Sequence, residues 1–210
     1  MLIKNILKNN VFQYISFRYL AYGLQFINSI LIAFFLGPYE FGIFGFLILI
    51  INYFNYMNFG IPNSINNLIS VNVDKKKYTE LIFNSAFVLI SGLSLLILIT
   101  SFMIYFFEIN LANNYKINKF LFPLTIIIIS NYYNSILMNI CRIYNLFIPI
   151  NFQQILYPSL ALITILFFRK EYLLELIFWI YAISQFITLI IYLIFNPIKL
   201  KYVLSKKILN

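Results

Sequence analysis

The sequence predicts an all-α polytopic membrane protein with six transmembrane helices. The chain has 210 residues, of which 62% are hydrophobic and only 10% are charged, and its mean hydropathy is +0.89. A soluble domain carries about 25% charged residues, so this chain cannot hide its apolar surface in a single core. The apolar residues also form runs of about 20 or more, the length that crosses a bilayer core of about 30 Å. Lipid is therefore the expected environment.

Six apolar segments are long enough to cross the bilayer, and together they make one six-helix unit over residues 1–210. We expect spans at about residues 11–36, 41–60, 78–107, 120–144, 146–168 and 172–195. The longer segments are expected to tilt or to extend into the interface. A cleaved signal peptide is not expected, because the first segment is too long, contains Arg18 and lacks a small-residue cleavage site.

A very short turn joins the first two spans. Gly37 tolerates unusual backbone dihedrals and Pro38 stops the first helix, so the two spans are expected to form a tight antiparallel hairpin. Glu40 follows the turn, where a carboxylate meets the positive end of the next helix dipole. Gly42 and Gly45 would leave the start of the second span smooth enough for a close neighbouring helix.

The lysines and arginines between the apolar segments predict the orientation. With the N-terminus in the cytoplasm, most of them fall on the cytoplasmic side, as the positive-inside rule favours. The cytoplasmic set is Lys4, Lys8, Lys75, Lys76, Lys77, Arg142, Lys199, Lys201, Lys206 and Lys207, and the outer set is Lys116, Lys119, Arg169 and Lys170. Both termini are therefore expected in the cytoplasm, and the first turn is expected to face outward.

Polar residues within the spans recur at intervals of three and four, which puts them on one face of each helix. The members, span by span, are Tyr14, Arg18, Tyr22, Gln25 and Asn28; Asn52 and Asn55; Asn131, Ser135, Asn139 and Arg142; Gln154 and Tyr157; and Tyr181, Gln185, Thr188 and Tyr192. Such stripes imply a bundle that encloses a polar interior.

The stripes have two interpretations that the sequence leaves open. Asn, Gln and Ser often form interhelical hydrogen bonds worth about 0.6 kcal/mol each, and for the uncharged members this structural role is the simpler one. Arg18 lies about 10 Å into its span, where it either snorkels to the interface or grips phosphate from a water-filled cavity. Arg142 lies nearer the surface and fits the positive-inside pattern. The lysine run at residues 75–77 is most simply a loop that sets topology, with anionic-lipid contact as the alternative.

No arrangement of residues predicts catalysis or metal binding. Histidine is absent and Cys141 is the single cysteine, which removes the commonest general base and metal ligand and leaves no cysteine metal site. The six carboxylates fall at or near the predicted span ends, so no acid–base pair is expected in one core. Zinc spacing, a phosphate-cradling glycine loop and a nucleophile elbow are not found. An enzyme, a cofactor and a metal site are therefore not expected, and neither is nucleic-acid binding, since the charges do not gather on one face.

Residues 36–44, Leu-Gly-Pro-Tyr-Glu-Phe-Gly-Ile-Phe, resemble the "LGP-x-x-[YF]-G-hydrophobic" signature that follows the first span of polysaccharide flippases. These are the Wzx-type members of the multidrug/oligosaccharidyl-lipid/polysaccharide exporter superfamily. Residues 58–64, Asn-Phe-Gly-Ile-Pro-Asn-Ser, are similar to the glycine-containing end of that family's second span, which leads into a cytoplasmic loop. The six-span layout is similar to the family's N-terminal half across essentially the whole chain.

The resemblance implies a transporter in the bacterial inner membrane that flips an undecaprenyl-pyrophosphate-linked oligosaccharide for surface polysaccharide such as O-antigen or capsule. In the family, two six-helix lobes enclose a cavity, and its basic residues are thought to meet the pyrophosphate. That role falls here on Arg18 and, more weakly, on Arg142. The polar stripes would face the sugar hydroxyls, and the residues expected to contact them are Gln25, Asn28, Asn131 and Asn139.

The chain ends after six spans, whereas members of that family have about twelve or more, and repeat transporters place their site between the halves. We therefore expect a truncated unit, or a half that pairs with a second six-helix half or with polysaccharide assembly proteins. Two other classes are open. A six-span substrate-binding subunit of a small-molecule importer would need a ligand pocket near the outer surface and an alanine-rich first helix. A non-transporting membrane scaffold would use the polar stripes for packing alone.

Overall fold

The computed structural model of the chain describes residues 10–107, 117–168 and 172–198. Some of the charged residues assigned to loops and chain ends lie outside these ranges. They are Lys4, Lys8, Glu108, Lys116, Arg169, Lys170, Glu171, Lys199, Lys201, Lys206 and Lys207.

Six helices make up the described part of the chain, which contains no strand. They are α1 (Asn10–Tyr56), α2 (Ile61–Val71), α3 (Lys76–Phe106), α4 (Ile117–Ile143), α5 (Phe147–Phe167) and α6 (Leu173–Phe195). All except α2 are long and apolar enough to cross a membrane. The prediction of an all-α polytopic membrane protein is therefore confirmed.

The helix α1 contains both of the first two predicted spans, because its backbone is not helical at Gly37. The dihedrals there are φ 70° and ψ 173°, a region that is essentially restricted to glycine. This residue divides α1 into arm 1 (residues 10–36) and arm 2 (residues 38–56). Pro38 begins arm 2, where its missing N–H would have no helical partner in any case.

The contacts of arm 1 give its direction. The ring of Tyr14 lies 5.4 Å from that of Phe147, at the start of α5. Farther along both helices, Asn28 Nδ2 donates to the Pro158 carbonyl at 2.7 Å. Arm 1 and α5 therefore run parallel.

The direction of α6 follows from two further contacts with α5. Tyr192, near the end of α6, donates its hydroxyl to Gln153 in the first half of α5, and Tyr181 stacks on Tyr157 with ring centroids 4.4 Å apart. These pairs show that α5 and α6 run antiparallel.

Arm 2 follows α4 and α6. The ring centroids of Phe44 and Phe178, which is near the start of α6, lie 5.8 Å apart. The ring centroids of Phe178 and Phe120, which is near the start of α4, lie 5.4 Å apart. Farther along, Tyr132 of α4 donates to the Phe54 carbonyl at 2.6 Å. Because arm 2 is parallel to α6 and arm 1 is antiparallel to it, the two arms run in opposite directions, as the chemistry of the turn predicts.

Helix α4 is the centre of the bundle, because every other helix packs against it. Fully buried apolar side chains of the core include Leu47 and Ile51 of arm 2, Ile65 and Ile69 of α2, Phe83 and Ile90 of α3, Ile127, Ile136 and Leu137 of α4, and Phe178 of α6. Arm 1 and α3 lie at the edges and leave most of their apolar side chains exposed. Lipid tolerates such exposure, since its tails are as apolar as leucine.

A short helix, α2, follows the second span, where a loop was expected. The second helical segment ends at Tyr56 rather than near residue 60, and a turn leads into α2. Gly60 is the N-cap residue, Pro62 lies in the first turn, and Pro62, Ile65 and Ile69 form one buried face. Eleven residues are too few to span a membrane, so a search for long apolar runs passes over this amphipathic helix.

The two glycines after the hairpin turn do not serve a close helix contact within the described ranges. A Cβ added at Gly42 or at Gly45 would meet no other atom within 4 Å, and both residues are exposed. The predicted close neighbour for this part of arm 2 is therefore wrong for the described residues.

The described basic residues occupy the two ends of the bundle unequally, because the three lysines at 75–77 and Arg142 lie at one end and Lys119 lies at the other. We call the end where α4 stops and α5 begins the basic end. Arg142 lies there in the last turn of α4, and Asn139 Nδ2 donates to the Pro62 carbonyl at 2.9 Å, which places α2 there as well. At the opposite end, Lys119 forms a salt bridge of 2.6 Å with Glu175.

Candidate functional site

A polar cavity of about 310 Å³, open toward the outside, lies among the helices of the bundle. It is formed where the end of arm 2 and the turn after it face the middle of α4 and α6 and the first half of α5. The lining residues are Asn55, Asn58, Asn131, Tyr132, Ser135, Met138, Gln153, Tyr181 and Gln185. Because arm 2 runs parallel to α4, its last turn arrives beside Tyr132, and the hydrogen bond from Tyr132 to the Phe54 carbonyl fixes this approach.

The lining is rich in amides and carries no charged side chain. Each Asn or Gln side chain offers two donors and a carbonyl acceptor, so the wall can both donate and accept hydrogen bonds. The Ser135 hydroxyl donates to the Tyr132 carbonyl of its own helix, and the Tyr132 hydroxyl is already bonded. The amide oxygens of Asn58, Gln153 and Gln185 also accept internal hydrogen bonds, but each amide still carries an NH2 group that can donate. The amides are therefore the groups best able to bind a ligand, and the ligand they suit is uncharged and polyhydroxylated.

One wall of the cavity is an ordered aromatic ring. Tyr181 stacks on Tyr157, with an interplanar angle of 29°, and Asn131 lines the same cavity. The stacking holds the ring in a fixed plane. The wall therefore combines an aromatic ring with neighbouring amide groups.

The turn that carries Asn58 is conformationally strained. Phe59 and Gly60 follow each other in the left-handed region, with φ of 51° and 71°, which is rare for a bulky aromatic residue. Asn58 Oδ1 accepts a hydrogen bond from the Gly60 amide at 3.0 Å. This local bond supports the unusual backbone of a turn that forms part of the cavity wall.

Beside the cavity, a buried hydrogen-bond network joins α4 to α6. Asn134 is 1% exposed, and its Nδ2 lies 3.0 Å from the Gln185 carbonyl, 2.9 Å from Gln185 Oε1 and 3.0 Å from Thr188 Oγ1. Because Gln185 also lines the cavity, this network fixes one of the ligand-facing amides. Sequence reasoning missed Asn134, although it lies three residues after Asn131.

Among the residues predicted to contact sugar, the structure places Asn131 in the cavity wall and three others elsewhere. Asn139 is buried against α2, and Asn28 is buried against α5. Gln25 is exposed on arm 1. The stripe residues Asn55, Ser135, Tyr181 and Gln185 also line the cavity, so the stripes of arm 2, α4 and α6 meet there while that of arm 1 does not.

The two predicted phosphate-binding arginines lie outside the cavity. Arg18 is exposed on arm 1, where its Nε donates to the Tyr22 hydroxyl at 2.8 Å and its Nη1 to the Tyr14 hydroxyl at 3.3 Å. Its guanidinium carbon also lies 5.5 Å from the centre of the Tyr22 ring. Arg142 is exposed at the basic end. The structure therefore does not bring the two arginines and the amide cavity into one site.

Arm 1 presents a second polar feature, which we call the arm 1 row. Arg18, Tyr22, Gln25 and Ser29 are spaced by four, three and four, and all four are exposed. Gln25 lies eleven residues before Leu36, so it is about 16 Å from the turn and near the middle of a bilayer. An exposed amide at that depth is unfavourable against lipid tails, so this face suits contact with protein or with a water-filled cavity.

Four lining residues belong to none of the polar stripes predicted from the sequence. Tyr132 and Met138 lie beside polar stripe positions on α4, and Asn58 belongs to the turn after arm 2. Gln153 is adjacent to Gln154, which does belong to a stripe, and the structure gives the cavity-facing role to Gln153. The available signal was the pair of adjacent glutamines at 153 and 154 within an apolar segment. The pair predicts a polar contact there, but the sequence does not show which glutamine faces α6.

Within the described ranges, no group of three or more His, Cys, Asp or Glu side chains could hold a metal ion. A family model described as "Polysaccharide biosynthesis protein" matches residues 7–208 of the chain. No curated protein and no solved structure matches the chain significantly.

Proposed function

Because the chain belongs to the polysaccharide biosynthesis protein family, we propose that it takes part in flipping a lipid-linked oligosaccharide across the bacterial inner membrane. The lipid carrier in this proposal is undecaprenyl pyrophosphate, and both chain termini lie in the cytoplasm. The observation that carries the proposal is the uncharged, amide-lined cavity at membrane depth. The chain acts without enzymatic chemistry, since moving the lipid-linked sugar breaks no covalent bond.

The cavity suits one sugar unit of such a substrate. Its volume of about 310 Å³ is at the lower limit of ordinary ligand sites, which run from about 300 to 1,000 Å³. Five amides supply donors and acceptors for hydroxyl groups, and the Tyr181 ring supplies a flat apolar surface. A charged group would have no partner of opposite sign in the lining, and an unpaired charge in such a site is costly.

Arg18 is the best candidate for the pyrophosphate. A guanidinium has five N–H donors, and the two tyrosine hydroxyls engage only part of them, so donors remain for an anion. The tyrosines also limit the orientations of the side chain, which lowers the entropy lost on binding. Its position on the exposed face, toward the basic end, allows a headgroup to reach it from the cytoplasmic leaflet.

The arm 1 row implies a partner for this face. We propose that a second six-helix lobe lies opposite the row, so that Arg18 and Gln25 face a cavity between the lobes. The amide cavity within the described lobe would then receive a sugar from that larger space. The larger share of cationic residues at the basic end supports its placement in the cytoplasm.

Complementation of a strain that lacks its own O-unit or capsule flippase tests the proposal. We expect that the chain alone does not restore surface polysaccharide, whereas the chain expressed with a second lobe from a longer family member does. Immunoblots of the membrane fraction control for expression and insertion. If folded, inserted protein fails in both arrangements, the proposed function is wrong.

Replacing Arg18 in the complementing arrangement tests its role. Because a hydrogen bond to a charged group contributes about 1.5–3 kcal/mol, we expect Arg18→Gln to lower surface polysaccharide by at least about tenfold. Arg18→Lys should recover part of the loss, since lysine keeps the charge but lacks the planar fork. Arg142→Gln is the matched control and should lower surface polysaccharide by less than about threefold, because an arginine in the last turn mainly sets the topology. Equal losses for both glutamine variants would contradict a specific role for Arg18.

A further inference from the structure

A surface that the proposed function does not use lies at the basic end. We call it the α2 surface, and it consists of Leu68, Val71, Val73, Lys75, Lys76, Lys77 and Tyr78. All seven side chains are exposed, and Val71 is 82% exposed, the largest fraction among them for an apolar residue. Apolar and cationic groups thus occur side by side on a segment that connects α2 to the membrane-length helix α3.

The orientation of this surface is fixed by the buried side of α2. Pro62, Ile65 and Ile69 are buried against the bundle, and the hydrogen bond from Asn139 to the Pro62 carbonyl ties the start of α2 to α4. With this face held, Val71 points away from the core and Leu68 lies at the side of the helix. The exposure of the α2 surface therefore follows from the packing of α2.

The net charge of the surface is positive, although its own helix carries one carboxylate, Glu80. The three consecutive lysines lie at the start of α3, and no acidic residue occupies the first turn of that helix. The positive end of the helix dipole adds to their charge. Asp74 and Glu80 are the neighbouring carboxylates along the chain, which leaves an excess of positive charge.

We propose that the α2 surface binds anionic phospholipid headgroups in the leaflet at the basic end of the bundle. The lysines would contact the phosphates, and Leu68, Val71 and Val73 would enter the boundary between headgroups and acyl chains. Tyr78 follows at the level where tyrosines are enriched in membrane proteins. This surface is separate from Arg18 and from the amide cavity, so the proposal does not depend on transport.

The connection to α3 favours lipid over a soluble acidic partner. Only 11% of the most apolar part of α3 is buried within the protein, so that helix is surrounded largely by lipid. At about 1.5 Å per residue, its 31 residues are about as long as a bilayer including its headgroups, which is roughly 40–45 Å thick. Its first residues therefore lie at headgroup depth. Lysines at that depth meet lipid phosphates before any protein in solution.

Lipid titration of the purified full-length chain in detergent, followed by native mass spectrometry, tests the proposal with two probes, phosphatidylglycerol and phosphatidylcholine. A lysine near an anionic surface contributes roughly a fivefold change in affinity. We expect phosphatidylglycerol to bind at least tenfold more tightly than phosphatidylcholine, and this preference to weaken at high salt. Substitution of all three lysines by glutamine should lower the affinity for phosphatidylglycerol at least tenfold and leave the affinity for phosphatidylcholine unchanged.

Two further variants separate lipid binding from a general effect of charge or folding. Asp74→Asn removes the acidic neighbour and should strengthen phosphatidylglycerol binding by about twofold or more, an effect that misfolding would not produce. Lys119→Gln removes a lysine at the opposite end and should leave the affinity of the α2 surface unchanged. Unchanged phosphatidylglycerol affinity in the triple glutamine variant would overturn the proposal, as would equal affinity for the two lipids in the wild-type chain. Binding of an acidic soluble peptide in preference to phosphatidylglycerol would assign the surface to a protein partner instead.

Discussion

Substitution of Gly37 by alanine should destabilise the protein by about 1–3 kcal/mol, because alanine is disfavoured at the dihedrals that Gly37 adopts. The added methyl group itself would meet no atom within 4 Å, so the cost comes from the backbone and not from a clash. Unfolding in a denaturing detergent measures the effect, and the single tryptophan, Trp179, provides a fluorescence signal. Its indole lies 5.9 Å from the Phe122 ring, so loss of the α4–α6 contact should change its emission.

Gly42→Ala is the matched control for this experiment. Gly42 lies five residues later in arm 2, and a methyl group there is equally free of contacts. Its backbone is helical, so alanine should be neutral or should stabilise by up to about 1 kcal/mol. Gly37→Ala is thus expected to be clearly less stable than Gly42→Ala. Equal stability of the two variants would mean that position 37 does not require a residue that tolerates a positive φ.

The course of the chain through the membrane could be predicted because it depends on local signals. Apolar length identifies the membrane-length helices, and Gly37 with Pro38 identifies the reversal between the arms. Helix α2 could not be found in this way, since its apolar positions are few and its polar residues resemble a loop. The signal that remained was Pro62 after Gly60, followed by Ile65 and Ile69 at helical spacing.

The helix that each polar stripe contacts could not be predicted. Periodicity shows which residues share a face of a helix, but it does not show which other helix packs against that face. Asn28 is three residues after Gln25, which places it about 60° away around the helix. That rotation is enough to put Asn28 against Pro158 and to leave Gln25 exposed. Helix α5 covers one side of arm 1 and so decides which of its polar residues are buried. The contact between these two helices joins residues far apart in the sequence, and local spacing does not reveal it.

The contact of Asn134 with Gln185 shows the same limit at the cavity. Both residues are polar and lie within apolar segments, yet their pairing requires that α4 and α6 run parallel in one register. A shift of either helix by one residue would separate them. The sequence therefore identified several groups that line the cavity without identifying the contacts that hold them there.

Filling the cavity should abolish transport without unfolding the protein. Ser135 lines the cavity, and its hydroxyl only donates to a carbonyl of its own helix at 2.8 Å. In Ser135→Phe the ring would occupy space that a sugar needs, and we expect surface polysaccharide in the complementing arrangement to fall by at least about tenfold. Inserting bulk into a packed core costs about 1–3 kcal/mol, but a side chain that enters an existing cavity should cost less. Unfolding in detergent measures this second quantity.

Ser85→Phe is the control, because Ser85 lies on α3 outside the cavity and makes the same kind of bond, to the Leu81 carbonyl. It should leave both transport and stability nearly unchanged. The pair of variants separates a transporter from a membrane scaffold. A scaffold uses its polar residues for packing alone, so Ser135→Phe would then either be harmless or act through lost stability. Loss of transport in a variant that unfolds like the wild type requires a cavity that the substrate must enter.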